Sequence, residues 1–203
     1  LRKKKNVHED LEFYSVMRSV RAIEHSDVCI LVIDAERGFE SQDQRIFHIA
    51  DRNKKGIVIL VNKWDLLDKS TETAKKAEEQ IKSKIAPFTD IPIVFVSALE
   101  KQRLLKGLET AIFVHKNRTQ KIATSVLNEV MLPLIEHNPP PATKGKYIQI
   151  KYCTQLPTET PTFVFFANLP QYIKEPYKRY IENQLRQHFT FSGVPIQIYF
   201  RKK

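Results

Sequence analysis

A carboxylate at the end of an apolar run offers the clearest chemistry in the sequence. Asn62-Lys63-Trp64-Asp65 directly follows residues 57–61, which read IVILV. An Asp side chain presents two parallel acceptors, which match the adjacent N1–H and N2–H donors of guanine. Adenine has no amino group at that position and its N1 is an acceptor, so it would leave Asp65 unpaired. The pattern therefore predicts guanine recognition by Asp65, with the Lys63 stem over the base and Asn62 tying the loop.

A second short segment strengthens this interpretation. Ser97-Ala98 follows the apolar run at residues 93–96. Backbone N–H groups here could donate to guanine O6, and the Ser97 hydroxyl could brace the loop. The carboxyl ends of parallel strands meet at one edge of a sheet, so both segments are expected to lie together. Trp64 occupies the variable position of the first motif and is included among the candidate nucleotide-binding residues.

The elements that carry these segments follow an alternating order. Continuous apolar runs predict buried strands at residues 28–33, 57–61 and 93–96, and helices are predicted at residues 41–53, 71–86 and 104–114. Alternation of strands and helices indicates a parallel sheet with right-handed crossovers. Two finer predictions are a capping box from Ser41 and Gln44, and an inward-facing stripe of Leu104, Leu105, Leu108 and Ile112. Asp34, which follows the first strand, is interpreted as the start of a loop.

The composition changes near residue 118. Residues 1–117 carry 21 Lys and Arg against 18 Asp and Glu, whereas residues 118–203 carry 12 against 5, a net charge of +7. The second part reads as helix, strand, strand, helix, strand, a small α+β domain. Among its aromatics, Phe163, Phe165 and Phe166 favour core packing over base stacking, because two of them share one face of a strand.

Composition excludes several classes of protein. The sequence has 203 residues, a net charge of +10 and two cysteines without CxxC spacing, which fits a reducing cytoplasm and excludes a disulfide scaffold. No apolar run approaches a membrane span. The six histidines have no metal-binding spacing. The positive charge favours a polyanionic partner.

With these motifs in view, the sequence resembles the bacterial tandem GTPase family Der, also called EngA. Residues 1–46 resemble its second G domain. Four later stretches resemble its KH-like domain, namely TSVLNEV, the PPP and KGK connector, TPTFVFFANLP and the residues from Tyr177 to the end. The resemblance implies a partial α/β P-loop-GTPase-like domain at residues 1–117 and a KH-like domain at 118–203. It also implies GTP or GDP as ligand, GTP hydrolysis, and a role in assembly of the large (50S) ribosomal subunit, with rRNA and ribosomal proteins as partners.

The sequence departs from the family pattern in one important respect. The phosphate-binding GKS loop, the switch I threonine and the DxxG aspartate are absent, and Leu1 falls where the residue after DxxG belongs. We therefore expect a C-terminal piece of a longer protein that keeps guanine recognition but does not hydrolyse GTP by itself. No catalytic or metal-binding residue is assigned. Mg²⁺ and contacts with a first G domain are expected only in the intact protein.

An alternative remains open for the whole chain. It could be an RNA-binding module whose α/β part is only scaffold, although no GxxG loop is present and RNA binding does not require the NKxD pattern. For residues 118–203, contact with RNA through charge and docking onto the protein's own G domains are equal alternatives. Under the first, reversal of Lys178, Arg179 and Arg186 to Glu should weaken ribosome binding.

Overall fold

The computed structural model describes residue 18 and residues 20–67, 71–143 and 145–202. The chain divides after His115 into two compact units, two residues before the expected boundary. Each unit has its own sheet of three strands. The strand order is β1-β2-β3 in the first sheet and β4-β5-β6 in the second.

The first sheet is parallel, as predicted. Its strands are β1 (Val28–Asp34), β2 (Gly56–Asn62) and β3 (Ile93–Phe95), with β2 in the centre. Buried β-branched and aliphatic residues dominate β2, which is typical of a strand covered on both faces. The predicted α/β parallel sheet is confirmed.

Helices cover both faces of this sheet. The helices α1 (Ser41–Arg52) and α2 (Thr71–Ile85) share a hydrophobic core with alternate residues of β1 and β2. The helix α3 (Leu104–Thr119) lies on the opposite face, where a Cβ on Gly107 would lie 3.0 Å from Leu60 Cδ2. Residues 20–24 add a short helical segment before β1.

Two finer predictions for this unit are wrong. The N-cap of α1 is Glu40, whose backbone N–H donates to the Asp43 carboxylate at 2.9 Å, so the capping box lies one residue earlier than Ser41 and Gln44. In α3, Gly107 and Val114 face the sheet, whereas three of the four residues predicted to face inward are exposed. These three are Leu105, Leu108 and Ile112.

The second unit has its helices on one face of a mixed sheet. The helix α4 (Thr124–His137) precedes β4 (Ile150–Leu156) and β5 (Thr162–Ala167), and α5 (Glu175–His188) precedes β6 (Gln197–Lys202). The strands β4 and β5 are antiparallel, whereas β5 and β6 are parallel. One core joins α4 and α5 to the sheet, and the predicted packing of Phe163 and Phe165 in it is confirmed.

One side chain on α4 completes the outer edge of β4. The Asn128 amide donates from Nδ2 to the Cys153 carbonyl at 2.8 Å and accepts from the Cys153 N–H through Oδ1 at 2.8 Å. It thus takes the place of a neighbouring strand at that residue. The buried edge is satisfied without a further strand.

Candidate functional site

The predicted site forms where β1 and β2 end side by side. Asp34 pairs with Asn62 as the last residue of each strand, and the Ala35 N–H donates to the Asn62 carbonyl at 2.9 Å. On the other side of β2, the Val96 N–H donates to the Val61 carbonyl at 2.8 Å, which carries the chain on into Ser97. The parallel sheet therefore brings both motifs to one edge.

Asn62 connects the two motifs directly. Its Oδ1 accepts a hydrogen bond from the Ala98 N–H at 2.9 Å. The expectation that Asn62 ties its loop to neighbouring backbone agrees with this geometry. The same bond engages the Ala98 N–H, so this donor is not free for guanine O6 as the sequence had suggested.

Ser97 braces the second loop. It is 1% exposed, and its hydroxyl accepts from the Glu100 N–H at 3.0 Å. Its backbone N–H and C=O both bond to Gln102, at 3.2 and 2.9 Å. These bonds hold the segment after β3 in a closed turn beside Asn62.

Trp64 anchors the first loop to β3 and to the residue that follows it. Its ring packs on Phe95 of β3, with centroids 4.2 Å apart, and the backbone N–H of Trp64 donates to the Val96 carbonyl at 3.1 Å. It also packs against the core shared with α1 and α2. In this position Trp64 supports the loop, and its assignment as a nucleotide-binding residue stays a prediction.

Lys63 has an unusual backbone and an ion pair. Its φ of 62° lies in the left-handed region, which is uncommon for a residue with a Cβ. Its Nζ lies 2.7 Å from Asp34 Oδ2, and Asp34 Oδ1 accepts from the Glu36 N–H at 2.9 Å. The ion pair therefore fixes where the long Lys63 side chain ends.

The electrostatics of the pair favour its charged form. The hydrogen bond from Lys63 lowers the pKa of Asp34, helped by the Glu36 N–H, and the bond to Asp34 raises the pKa of Lys63. Burial opposes both shifts, but less strongly. Both groups stay ionised near neutral pH, so the Lys63 stem is tethered there.

Asp65 holds an acceptor that the described residues leave unused. It lies in the 3₁₀ turn Trp64–Leu66, and its Oδ1 is buried without a hydrogen-bond partner among those residues. Buried carboxylate oxygens are normally paired, since an unpaired one costs free energy. The geometry therefore offers one acceptor to a ligand.

Asp34 is the site residue that sequence reasoning missed. It was interpreted as the start of a loop, yet it holds Lys63. A signal was available, because Asp34 ends its strand as Asn62 ends the next one. In a parallel sheet without a register shift, these ends are neighbours.

The part of the chain that the structure describes contains neither a metal-binding cluster nor a membrane-spanning helix. No group of three or more His, Cys, Asp or Glu residues there could hold a metal ion. No helix within these ranges has the length and apolar character needed to cross a membrane.

In the second unit, one of the three basic residues chosen from sequence has a structural role. Arg186 has a side chain only 13% exposed, bonds to Glu182 and donates to the Phe191 and Val194 carbonyls at 3.1 Å. It stabilises the turn after α5, so a triple reversal that includes it would disturb the fold. Lys178, at 39% exposure, remains a surface cation.

Comparison with known families accounts for this arrangement. Residues 11–137 match the elongation factor Tu GTP binding domain, and residues 121–201 match the KH-domain-like C-terminal region of EngA bacterial GTPase enzymes. Over all 203 residues the chain is 66% identical to GTPase Der of Flavobacterium johnsoniae. The chain belongs to the GTPase Der family.

Other relatives give the same result. GTPase Der of Flavobacterium psychrophilum is 63% identical over 203 residues, and that of Bacteroides fragilis is 62% identical over 205 aligned positions. In each case all of this chain is covered, against 46–47% of the relative. The chain thus spans about half the length of these curated relatives. The resemblance to Der and the KH-like fold of the second unit are confirmed.

Proposed function

We propose that this chain supplies guanine recognition and a C-terminal RNA-contacting unit to a GTP-binding, GTP-hydrolysing protein that acts in assembly of the large ribosomal subunit. Residues 1–117 serve as the later part of a second G domain, and residues 118–203 as a KH-like domain. The protein works in the cytoplasm on guanine nucleotides. The high identity to GTPase Der supports this proposal.

The Oδ1 of Asp65, which is buried and has no hydrogen-bond partner among the described residues, is the observation that carries the proposal. A guanine base would supply the missing donor from N1–H or N2–H. The second carboxylate oxygen would take the other donor. An adenine base offers no such pair, so the same geometry rejects it.

The neighbouring residues would orient the base. Lys63, tethered to Asp34, lays its aliphatic stem along the edge of the sheet where one face of the base would rest. Asn62 and Ser97 keep the two loops in register. A bound O6 would share or replace Asn62 as the acceptor at the Ala98 N–H.

Phosphate binding and hydrolysis require groups beyond these residues. The sequence has five glycines and no GxxxxGKS/T loop, so it lacks the backbone cradle that usually holds phosphates. Mg²⁺ belongs to the same missing part of the site. We therefore expect the 203 residues alone to bind GTP weakly and not to hydrolyse it.

An Asp65→Asn substitution in the full-length protein tests guanine recognition. The amide presents one acceptor and one donor, which suits xanthine, with an oxygen at position 2, better than guanine. GTP affinity should fall at least tenfold, and xanthosine triphosphate should gain relative to GTP in a competition assay. Asp51→Asn in α1 is the matched control and should leave both affinities unchanged. An unaltered preference for GTP in the Asp65 variant would show that another residue reads the base.

A second candidate function is an RNA-binding module with a purely structural first unit. The net positive charge of residues 118–203 favours it. It gives no reason for a carboxylate oxygen of the NKxD motif that is buried without a hydrogen-bond partner among the described residues. Retention of RNA binding together with indifference of the full-length protein to every guanine nucleotide would favour this alternative.

A further inference from the structure

The face of the second sheet that lies opposite its helices carries a row of three aligned side chains. Phe165 and Ala167 of β5 point into the core, so Phe166 between them lies on the other face. Phe166 pairs in register with Tyr152 of β4 on one side and with Arg201 of β6 on the other. We call Tyr152, Phe166 and Arg201 the open row.

The two rings of this row stack on each other and are both partly buried, so a ligand could meet only their outer surfaces. Tyr152 and Phe166 lie parallel, with centroids 4.5 Å apart and an interplanar angle of 13°. Tyr199, two residues before Arg201 and hence on the same face, is 46% exposed. Contrary to the prediction from sequence, Phe166 does not join Phe163 and Phe165 in the core.

On β5, only one end of the face is available. Thr162 and Val164, further along β5 on the same face, are 3% and 0% exposed, so the surface of β5 is covered there, whereas Tyr199, the neighbour of Val164 on β6, is half exposed. The open row lies at the other end, near Tyr147, which is 85% exposed and whose carbonyl accepts from Asn168 Nδ2 at 3.0 Å. The row crosses three strands, a width of about 10 Å.

The charge of the strands selects among ligands. Their sequences IKYCTQL, TFVFFA and QIYFRK contain three basic residues and no acidic residue. Arg201 and Lys202 are exposed at the end of β6. Arg201 shares the face of the rings, whereas Lys202 points to the other side of β6. Aromatic rings beside a cation, on strands without a carboxylate, complement a single-stranded nucleic acid, whose bases stack while its phosphates pair with Arg and Lys.

We propose that the open row, with Tyr199, is a stacking platform for single-stranded RNA. The width of the row suits roughly two bases, because four-stranded sheets with exposed aromatics stack two or three. A duplex is a poor ligand here, because its base faces are already stacked. The inference rests on the proposed contact with ribosomal RNA and assigns that contact to a particular face.

Fluorescence anisotropy with the 203-residue chain tests this. The probe is a fluorescein-labelled, mixed-sequence 12-nucleotide RNA, used single-stranded and annealed to its complement. Tyr199→Ala and Tyr152→Leu should each weaken single-strand binding about fivefold or more, since stacking contributes strongly for each base. Arg201→Gln should weaken it and flatten the salt dependence. Lys178→Gln on α5 removes the same charge elsewhere and should change affinity less than twofold.

The outcomes separate this inference from the broader proposal. Equal binding of duplex and single strand, or RNA binding that is indifferent to both tyrosine substitutions, overturns the platform but leaves RNA contact standing. A wild-type chain that binds neither probe removes the RNA contact itself. Both tyrosine variants are expected to fold. The Tyr199 side chain is about half exposed, so its loss should disturb little packing, and Tyr152→Leu keeps an apolar side chain at that position.

Discussion

Lys63 shows how a single residue can be prepared for a ligand before the ligand binds. A left-handed backbone turns the chain sharply at the end of β2, and the ion pair with Asp34 fixes the far end of the side chain. The stem between these two points loses little further rotamer freedom when a base covers it. Preorganisation of this kind improves affinity by reducing the entropy cost of binding.

Neutralising the partner of Lys63 should therefore weaken nucleotide binding without changing its selectivity. Asp34→Asn in the full-length protein should lower affinity for GTP and xanthosine triphosphate by the same factor. Because solvent screens this partly exposed pair, the loss of affinity should be no more than about fivefold. Glu36→Gln neutralises a nearby carboxylate but keeps the N–H that donates to Asp34, so it should have a smaller effect. A changed ratio between the two nucleotides would assign Asp34 to base reading instead.

The pH dependence of this tether follows from the two pKa shifts. The pKa of Asp34 is lowered in the folded state, so its contribution is lost only as the pH falls through that lowered value. The pKa of Lys63 is raised, so its contribution is lost only as the pH rises through the raised value. Between about pH 5 and about pH 9 the effect of Asp34→Asn should be constant.

Residue types and spacing were enough to predict Asn62, Lys63, Asp65 and Ser97 as neighbours, because parallel strands end at one edge. They could not predict which acceptor the Ala98 N–H would bond to. The choice between Asn62 and a ligand depends on a loop geometry that the bonds between Ser97 and Gln102 fix. Nor could they place Asp34, whose role depends on the rotamer of a lysine. Such contacts follow from tertiary structure and leave no periodic pattern.

Among the elements, α3 and β2 approach each other unusually closely. A Cβ on Gly56 would lie 2.8 Å from Val114 Cγ1 and 3.0 Å from Val28 Cγ2. Val114 is fully buried and cannot turn away. Glycine at the start of β2 thus lets the last turns of α3 rest on the sheet.

Gly56→Ala should lower the free energy of unfolding by about 1–3 kcal/mol, the usual cost of overpacking. Urea denaturation of the 203-residue chain measures this. Combining it with Val114→Ala should cost less than the sum of the single changes, because the smaller side chain leaves room for the new methyl group. Gly107→Ala is the comparison. Its new Cβ would contact only the end of the Leu60 side chain, and alanine favours the helix by about 1 kcal/mol, so this variant should lose less stability than Gly56→Ala. A fully additive double mutant would contradict the close approach.

The misplaced stripe of α3 has a physical explanation. Leu104, Leu105, Leu108 and Ile112 recur at helical spacing, and periodicity predicts that such residues face a core. The face that meets the sheet instead carries Gly107 and Val114, because close approach to a flat sheet favours small side chains. Periodicity identifies an apolar stripe on a helix, but it does not show whether that stripe or another face of the helix packs against the sheet.

At the scale of the whole first unit, β1 also leaves apolar side chains exposed. Ile30 is 38% exposed and Val32 is 55% exposed. They pair with Val58 and Leu60 of β2, on the face of the sheet that α3 covers. Among the described residues β1 pairs only with β2. A half-exposed apolar strand at a sheet edge is prone to association.

The 203-residue chain by itself should therefore self-associate at concentrations of about 100 μM. Size-exclusion chromatography with light scattering measures the mass. Val32→Lys and Leu108→Lys should each shift the chain toward monomer, because a charge on β1 opposes strand pairing and a charge on α3 interrupts its exposed apolar surface. Val126→Lys on α4 is the control, since Val126 is 45% exposed in the other unit. A wild-type chain that stays monomeric would show that this face does not drive association.

The Asn128 amide at the edge of β4 limits how the second unit can meet other chains. Many partners bind by β-augmentation, in which an extended peptide hydrogen-bonds to the outer strand of a sheet. At Cys153 both backbone groups are already occupied, so a peptide cannot continue the sheet on that side. The opposite edge, β6, ends in Arg201 and Lys202, so a peptide added there would pass beside two positive charges. Strand addition is therefore blocked at Cys153, and a peptide that added to β6 would have to carry acidic rather than basic side chains near those two residues.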